Sequence, residues 1–153
     1  MAEVVSKFIE CYVYSRENLS YKFLCLKRND DALIYPGIWQ IITAKIEKDE
    51  KAYDTAKREL FEETGLHPKQ LFIGPSINQF YSLRNDSINL IPIFIAEVDS
   101  TEVKISDEHS EFEWLSFEDT YKRVYWGNQK DRLEEIYKYL KSEELYNTLV
   151  KII

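Results

Sequence analysis

The sequence predicts a single α/β (α+β) domain over residues 1–153, with helices packed on a mixed β-sheet. Three observations predict it. Short runs rich in Val, Ile, Phe and Tyr come first, then one amphipathic helix, then more apolar runs, then helices. Ala52, Ala56 and Leu60 recur at steps of four and form one apolar stripe able to press on a sheet. Asn89–Val98, NLIPIFIAEV, is almost continuously apolar, as a strand buried on both faces is. The length of 153 residues suits one hydrophobic core, and only 4 Gly and 4 Pro argue against long linkers.

In chain order, Val4–Tyr14 reads as a strand, Ser15–Leu19 as a turn, and Tyr21–Arg28 as the hairpin partner of the first strand. Lys27 and Arg28 close that strand, where they either guide a phosphate or stay solvated as edge protection. Tyr35-Pro36-Gly37 makes a turn, and Ile38–Thr43 a short strand. Ala44–Asp49 reads as a loop and Glu50–Thr64 as the helix, stopped by Gly65, with His67 and Pro68 preventing an easy restart. Leu71–Ser82 reads as a strand kinked at Gly74-Pro75. Pro92 inside Asn89–Val98 signals a bulge or an edge. Glu102–Ile105 is a candidate short strand, Ser106–His109 a loop, and Glu111–Leu115 a strand with Trp114 facing inward. Ser116 has the chemistry of an N-cap, with Asp119 completing a partial capping box for a helix to about Val124. Gln129–Leu140 follows, with Leu133, Ile136, Tyr137 and Leu140 on its apolar face, and Glu143–Ile153 continues as a last helix.

The net charge of -7 argues against nonspecific binding to nucleic acid or to anionic membranes. A phosphate substrate stays compatible with it, because a bound cation and a few local basic residues reverse the sign inside one pocket. Cys11 and Cys25 lie in apolar runs without CxxC spacing, and read as buried reduced thiols. With no signal-peptide pattern and no apolar run of membrane-spanning length, the expectation is a cytoplasmic protein without a membrane role.

On the central helix Glu59, Glu62 and Glu63 fall at i, i+3 and i+4, so their carboxylates are expected to meet on one exposed patch. The patch is either a solvated acidic face or a site for a divalent cation, Mg²⁺ being the hard, oxygen-seeking choice that bridges carboxylates to phosphates. Around it, Ala44–Leu66 resembles the signature of the Nudix hydrolases, G-x5-E-x7-R-E-U-x-E-E-x-G-U, where U is a bulky aliphatic residue. Glu50, Arg58, Glu59, Leu60, Glu62, Glu63, Gly65 and Leu66 match in register, and only Ala44 departs, standing where the family has Gly. Alanine tolerates positive φ poorly, so a left-handed turn at 44 would be strained; Asp49, in place of a glycine common in relatives, accepts such a turn more readily.

The resemblance implies an α/β/α sandwich of Nudix type and Mg²⁺-dependent cleavage of a phosphoanhydride, with Mn²⁺ as a substitute. It implies Glu59, Glu62, Glu63 and the main-chain carbonyl of Ala44 as metal ligands, Glu62 and Glu63 as catalytic carboxylates, and Arg58, Glu50 and Gly65 as residues that shape the motif. Arg58 is expected to pair with Glu50 or Asp54. Asp107–Trp114 resembles the family's Glu-His followed by an aromatic-x-Trp strand, which makes Glu108 a further ligand or general base. Glu111 and Glu113 are less favoured, because they begin the strand, and His109 reads as structural or solvated.

For the substrate, Trp39-Gln40 resembles a Trp-Gln pair preceding the signature in the branch of dATP and dihydroneopterin triphosphate pyrophosphohydrolases. Asn128-Gln129, with Trp126 before them, resembles an Asn-Arg-Gln patch of that branch, although Gln129-Lys130 replaces its Arg. Packing alone also accounts for Trp39. Tyr81 and Phe80 could stack on a base or pterin, and Arg84 and Arg28 could meet phosphates. The branch implies hydrolysis of a nucleoside or pterin triphosphate to monophosphate and pyrophosphate, a nucleotide-like partner, and leaves a homodimer open. Dinucleoside polyphosphates, ADP-ribose or nucleotide sugars are the rival substrates, and a noncatalytic nucleotide sensor the rival class.

Overall fold

The computed structural model describes residues 1–153. In chain order the strands are β1 (Glu3–Val5), β2 (Phe8–Glu17), β3 (Ser20–Arg28), β4 (Trp39–Gln40) and β5 (Ile42–Lys45). Helix α1 (Ala52–Thr64) follows, then β6 (Gln70–Ile73), β7 (Asn78–Ser82), β8 (Ser87–Ile91), β9 (Ile93–Glu97) and β10 (His109–Leu115). The chain closes with α2 (Phe117–Arg123), α3 (Gly127–Lys141) and α4 (Glu143–Tyr146).

Alternation along β2 and β3 explains the layers. Ile9, Cys11, Val13, Leu24 and Leu26 face one way and bury against Ala56 and Leu60 of α1. Tyr12, Tyr14, Phe23 and Cys25 face the other way and bury against Leu133, Ile136 and Leu140 of α3. The sheet between them is mixed, in the order β10-β3-β2-β9-β6, with β2 and β9 parallel. The expected α/β/α architecture is therefore present.

The hairpin of β2 and β3 opens at one end, and β4 and β5 wedge into the gap. Trp39 and Gln40 pair with Lys27 and Leu26, and Ile42 to Lys45 pair with Cys11 back to Phe8. The chain thus runs along β3, reverses at Ile41 and returns along β2. The single strand expected over Ile38–Thr43 is two arms of a bend, and the side chain of Gln129 holds its apex by accepting from the Ile41 N–H at 3.2 Å.

Several other expectations change. Val4–Tyr14 breaks at Ser6-Lys7, and β1 joins a separate three-stranded sheet, β1-β8-β7. The turn expected at Ser15–Leu19 shrinks to Asn18-Leu19, with Asn18 at φ 57°. Ala44 lies in β5 rather than a loop, opposite Ile9 in the ladder, and positive φ falls instead on Asp49 at 64°. No strain attaches to alanine at 44, because strand geometry suits it. Leu71–Ser82 divides between two sheets at Gly74, where a Cβ would stand 2.6 Å from Ile93 Cγ2. Pro92 divides Asn89–Val98 in the same way: it has no N–H for a ladder, and its carbonyl accepts from Glu10 N at 3.1 Å. Glu102–Ile105 forms no strand, and α1 begins at Ala52, two residues late. Past Tyr146 the expected helix stops; Ile73 N donates to Val150 O at 2.9 Å and Leu71 N to Ile153 O at 2.9 Å, so the last residues cover the open edge of β6.

Candidate active site

Helix α1 presents the acidic residues, and its ends are set locally. Gly65 takes φ 74°, and its N–H closes on Phe61 O at 2.7 Å. The three glutamates do not share one exposed patch as expected. The Glu62 side chain is 54% exposed, Glu59 only 16% and Glu63 only 7%. The reason is the loop before β10, which lies over the face that carries Glu63.

Arg58 is the hub of the helix side. It grips Glu50 through two nitrogens, Nε at 2.7 Å and Nη2 at 3.0 Å, and reaches Glu59 at 2.6 Å and Glu62 at 3.1 Å. Its Nη2 also meets the carbonyl of Lys45 at 3.4 Å, which ties the end of β5 to α1. Of the two expected partners Glu50 is the one taken; Asp54 pairs with Lys57. The Arg58 guanidinium, aided by the Thr55 hydroxyl, holds the Glu50 carboxyl down at about 2.

The second half of the site comes from the loop before β10. Asn29 N donates to Glu108 O at 3.2 Å, fastening that loop to the end of β3. Glu108 and Glu59 then line one cavity of about 440 Å³ together with the chain from Thr43 to Lys48. Glu63 stands at the side of this group. Its Oε2 accepts from Ser106 Oγ at 2.9 Å and lies 2.6 Å from His109 Nδ1. Candidate ligand atoms of Glu63, Glu108 and His109 lie within 4.8 Å of one another.

The electrostatics follow from this crowding. Burial opposes ionisation of Glu63, but the His109 ring and the Ser106 hydroxyl outweigh it and hold the carboxyl below its ordinary range. Glu108 is pushed up, first by desolvation and then by the charge of Glu63. Glu59 is also raised by desolvation, which Arg58 only partly offsets. Carboxylates held this close are the donor set of a hard divalent cation, which takes oxygen ligands and removes the repulsion. The residues present therefore fit such an ion.

The other expected residues divide. Arg28 is brought in: its place in β3 is opposite His109, its charge favours ionised Glu108, and its Nε donates to Ile34 O at 3.1 Å. Trp39 and Gln40, being successive strand residues, face opposite ways. Gln40 is buried opposite Leu26, whereas Trp39 faces the α3 side under the Arg123 guanidinium at 4.8 Å. Tyr81 and Arg84 sit on the β7–β8 hairpin of the small sheet. Tyr81 donates to Asp86 at 2.8 Å, and no side-chain contact joins either residue to the acidic group. Asn128 lies in the first turn of α3, half-buried. Glu111 and Glu113 are taken by Lys27 and Arg123.

Of the two states expected for His109 the structural one is taken, since it is buried against Glu63. Sequence reading missed one feature. Gln129 is a structural cross-link: besides holding Ile41, it donates to Glu10 at 2.9 Å and Thr43 Oγ1 at 3.1 Å. The spacing of Ser106, Glu108 and His109 is visible in the sequence, but their meeting with Glu63 depends on the register of β10.

Comparison with known proteins agrees with this geometry. The NUDIX domain family profile matches residues 11–137. The chain is 29% identical over 140 residues to the dihydroneopterin triphosphate diphosphatase of Haemophilus influenzae, covering 84% of this chain and 83% of that protein. It is 29% identical over 130 residues to the asymmetrical bis(5'-nucleosyl)-tetraphosphatase of Mus musculus, covering 81% and 84%. A crystal structure described as a Nudix hydrolase of Listeria monocytogenes superposes with a TM-score of 0.76 at 23% identity, covering 95% of this chain and 99% of that one. With the profile spanning most of its length, the chain belongs to the Nudix family of pyrophosphohydrolases, which act on phosphoanhydride bonds.

Proposed function

We propose that this enzyme hydrolyses a nucleoside or pterin triphosphate to the monophosphate and pyrophosphate, in a single catalytic domain and with Mg²⁺, Mn²⁺ substituting. The observation that carries this reading is the convergence of Glu59, Glu63 and Glu108 beside the main chain of Thr43–Lys48. Glu59, Glu63, Glu108 and the carbonyl of Ala44 would hold the cation, with Glu62 at the solvent side. A divalent cation held by these residues would supply charge neutralisation at the phosphate and acidify water. Arg28, at the same end of the sheet, meets phosphate charge. A water oxygen attacks one phosphorus of the α–β bridge, the bridging P–O bond breaks, and the water proton passes to a carboxylate. Glu108, which lines the cavity, is the acceptor when it is not itself a ligand to the cation. The bridging oxygen leaves on the phosphorus that was not attacked, so the products are the monophosphate and pyrophosphate.

Base recognition has a second aromatic candidate besides Tyr81. Tyr35, Tyr125 and Trp126 form an aromatic group beside Trp39, with Tyr35 and Trp126 centroids 4.6 Å apart and Tyr125 N bound to Trp39 O at 2.9 Å. The exposed rings of Tyr35 and Tyr125 offer stacking area to a planar heterocycle. Cleavage of a dinucleoside polyphosphate is the second reading, favoured by the equal identity to the mouse tetraphosphatase. A cytoplasmic setting is in keeping with Cys11 and Cys25 both being buried free thiols.

The test is a turnover panel with Mg²⁺ over dATP, other nucleoside triphosphates, dihydroneopterin triphosphate, ADP-ribose and diadenosine polyphosphates, reading phosphate and pyrophosphate separately. Pyrophosphate from a triphosphate is expected, with Glu108→Gln lowering kcat about 10²- to 10⁴-fold. Cleavage of the dinucleotides alone would replace the first reading by the second. Tight binding without turnover would make the protein a sensor.

A further inference from the structure

His109 has no explanation in the chemistry above. Its side chain is 4% exposed, in a place where an unpaired imidazole is costly. Nδ1 reaches Glu63 Oε2 at 2.6 Å, off the alignment of an ideal hydrogen bond, and neither ring nitrogen has another partner. Glu63 is thus the acceptor in closest reach of the ring, with a Glu108 oxygen within 4.8 Å. Ser106 Oγ donates to the same oxygen at 2.9 Å. Two groups from one loop therefore meet at Oε2, while the other close neighbour of the carboxylate is Glu108.

The backbone explains how the ring arrives there. His109 opens β10 opposite Arg28, and the register slips between His109 and Glu111, a bulge that re-aims a side chain relative to the ladder. The residue before it is Glu108, so one loop sets both the second carboxylate and the partner of the first.

We propose that His109 is a positioning residue for Glu63: with Ser106 it clamps Oε2, so that Oε1 is presented to the divalent cation. A carboxylate fixed in this way binds a cation without first losing rotamer freedom. The donor also makes the carboxylate's orientation unique, as partners behind metal ligands generally do. The inference rests on Glu63 being a ligand, as proposed above.

Calorimetric titration with Mn²⁺ alone, without substrate, tests it on the full chain. His109→Leu removes the donor, and its Mn²⁺ affinity is expected to fall about 10- to 100-fold while its melting curve stays cooperative. His109→Asn, whose amide N–H can stand where Nδ1 does, is expected to recover most of the affinity. A folded His109→Leu that binds Mn²⁺ as the wild type does overturns the clamp and leaves the hydrolase reading intact. Failure of the wild type to bind Mn²⁺ sinks the metal assignment itself, and the clamp with it. Should His109→Leu not fold, the imidazole ¹⁵N spectrum of the wild type decides. Only two histidines are present, so His67 serves as the internal reference. A proton on Nδ1 of His109 upholds the proposal; a bare Nδ1 refutes it.

Discussion

Arg58 shows how much one side chain organises at the residue scale. It connects the loop carboxylate Glu50, the helix carboxylates Glu59 and Glu62, and the end of β5. Its pairing with Glu50 has a measurable pH signature. The folded state holds Glu50 at about 2 against an ordinary 4.5, so the unfolded chain binds its proton first as the solution is acidified. The contribution is therefore complete above pH 4.5 and is lost as the pH falls toward 2. Melting temperatures of wild type and Glu50→Gln should differ at pH 5 to 7 and converge near pH 2. A constant gap across that range would show that the pair does not behave as an ion pair.

At the scale of elements, the bend between β4 and β5 has the most consequence for the site. It carries Ala44 and the chain to Lys48 along the cavity, and its apex is held from the opposite layer by Gln129. The same amide caps a buried network in which Glu10 accepts from Gln129, from Asn78 at 2.6 Å and from Tyr12 at 3.0 Å. Gln129→Ala strands the Ile41 N–H and one side of Glu10, at about 1–3 kcal/mol for each buried polar group left unpaired. Urea denaturation should show that loss, and Mn²⁺ affinity should fall with it, because β5 is no longer held in place. Leu60→Ala tests the other layer. Its side chain is fully buried under the sheet, and about 2–5 kcal/mol should be lost without a specific effect on the metal.

For the whole molecule, the contrast is between a net charge of -7 and a site meant for a polyanion. Glu59, Glu63 and Glu108 add to that charge locally, and a cation bound there would offset it and so link folding to metal binding. Saturating Mg²⁺ is expected to raise the melting temperature, by the equivalent of about 2.7 kcal/mol at a hundred times its Kd. EDTA should reverse the rise, and Glu63→Gln should largely abolish it. A wild type indifferent to Mg²⁺ would count against the cation site. No helix is long and apolar enough to cross a membrane, consistent with the amphipathic pattern read from the sequence.

The sequence by itself determined what depends on neighbours along the chain. The stripe of Ala52, Ala56 and Leu60, the stop at Gly65, the tolerance of Asp49 for a left-handed turn and the Ser116 cap are all local, and α1 and α2 form where these signals stand. The family, too, is legible there, because its signature lies within one loop and one helix. Only the tertiary structure decided how far-apart segments meet. Ile38–Thr43 and Asn89–Val98 each look like one strand, since periodicity does not reveal that the two ends pair with different partners. Glu62 and Glu63 are adjacent and chemically identical, yet one is exposed and the other buried. What separates them is a loop more than forty residues away in sequence, whose Ser106 and His109 reach Glu63 only once β10 has found its register on β3. Local propensity is additive along the chain, whereas burial and charge proximity belong to the packed molecule, and the site is made of the latter.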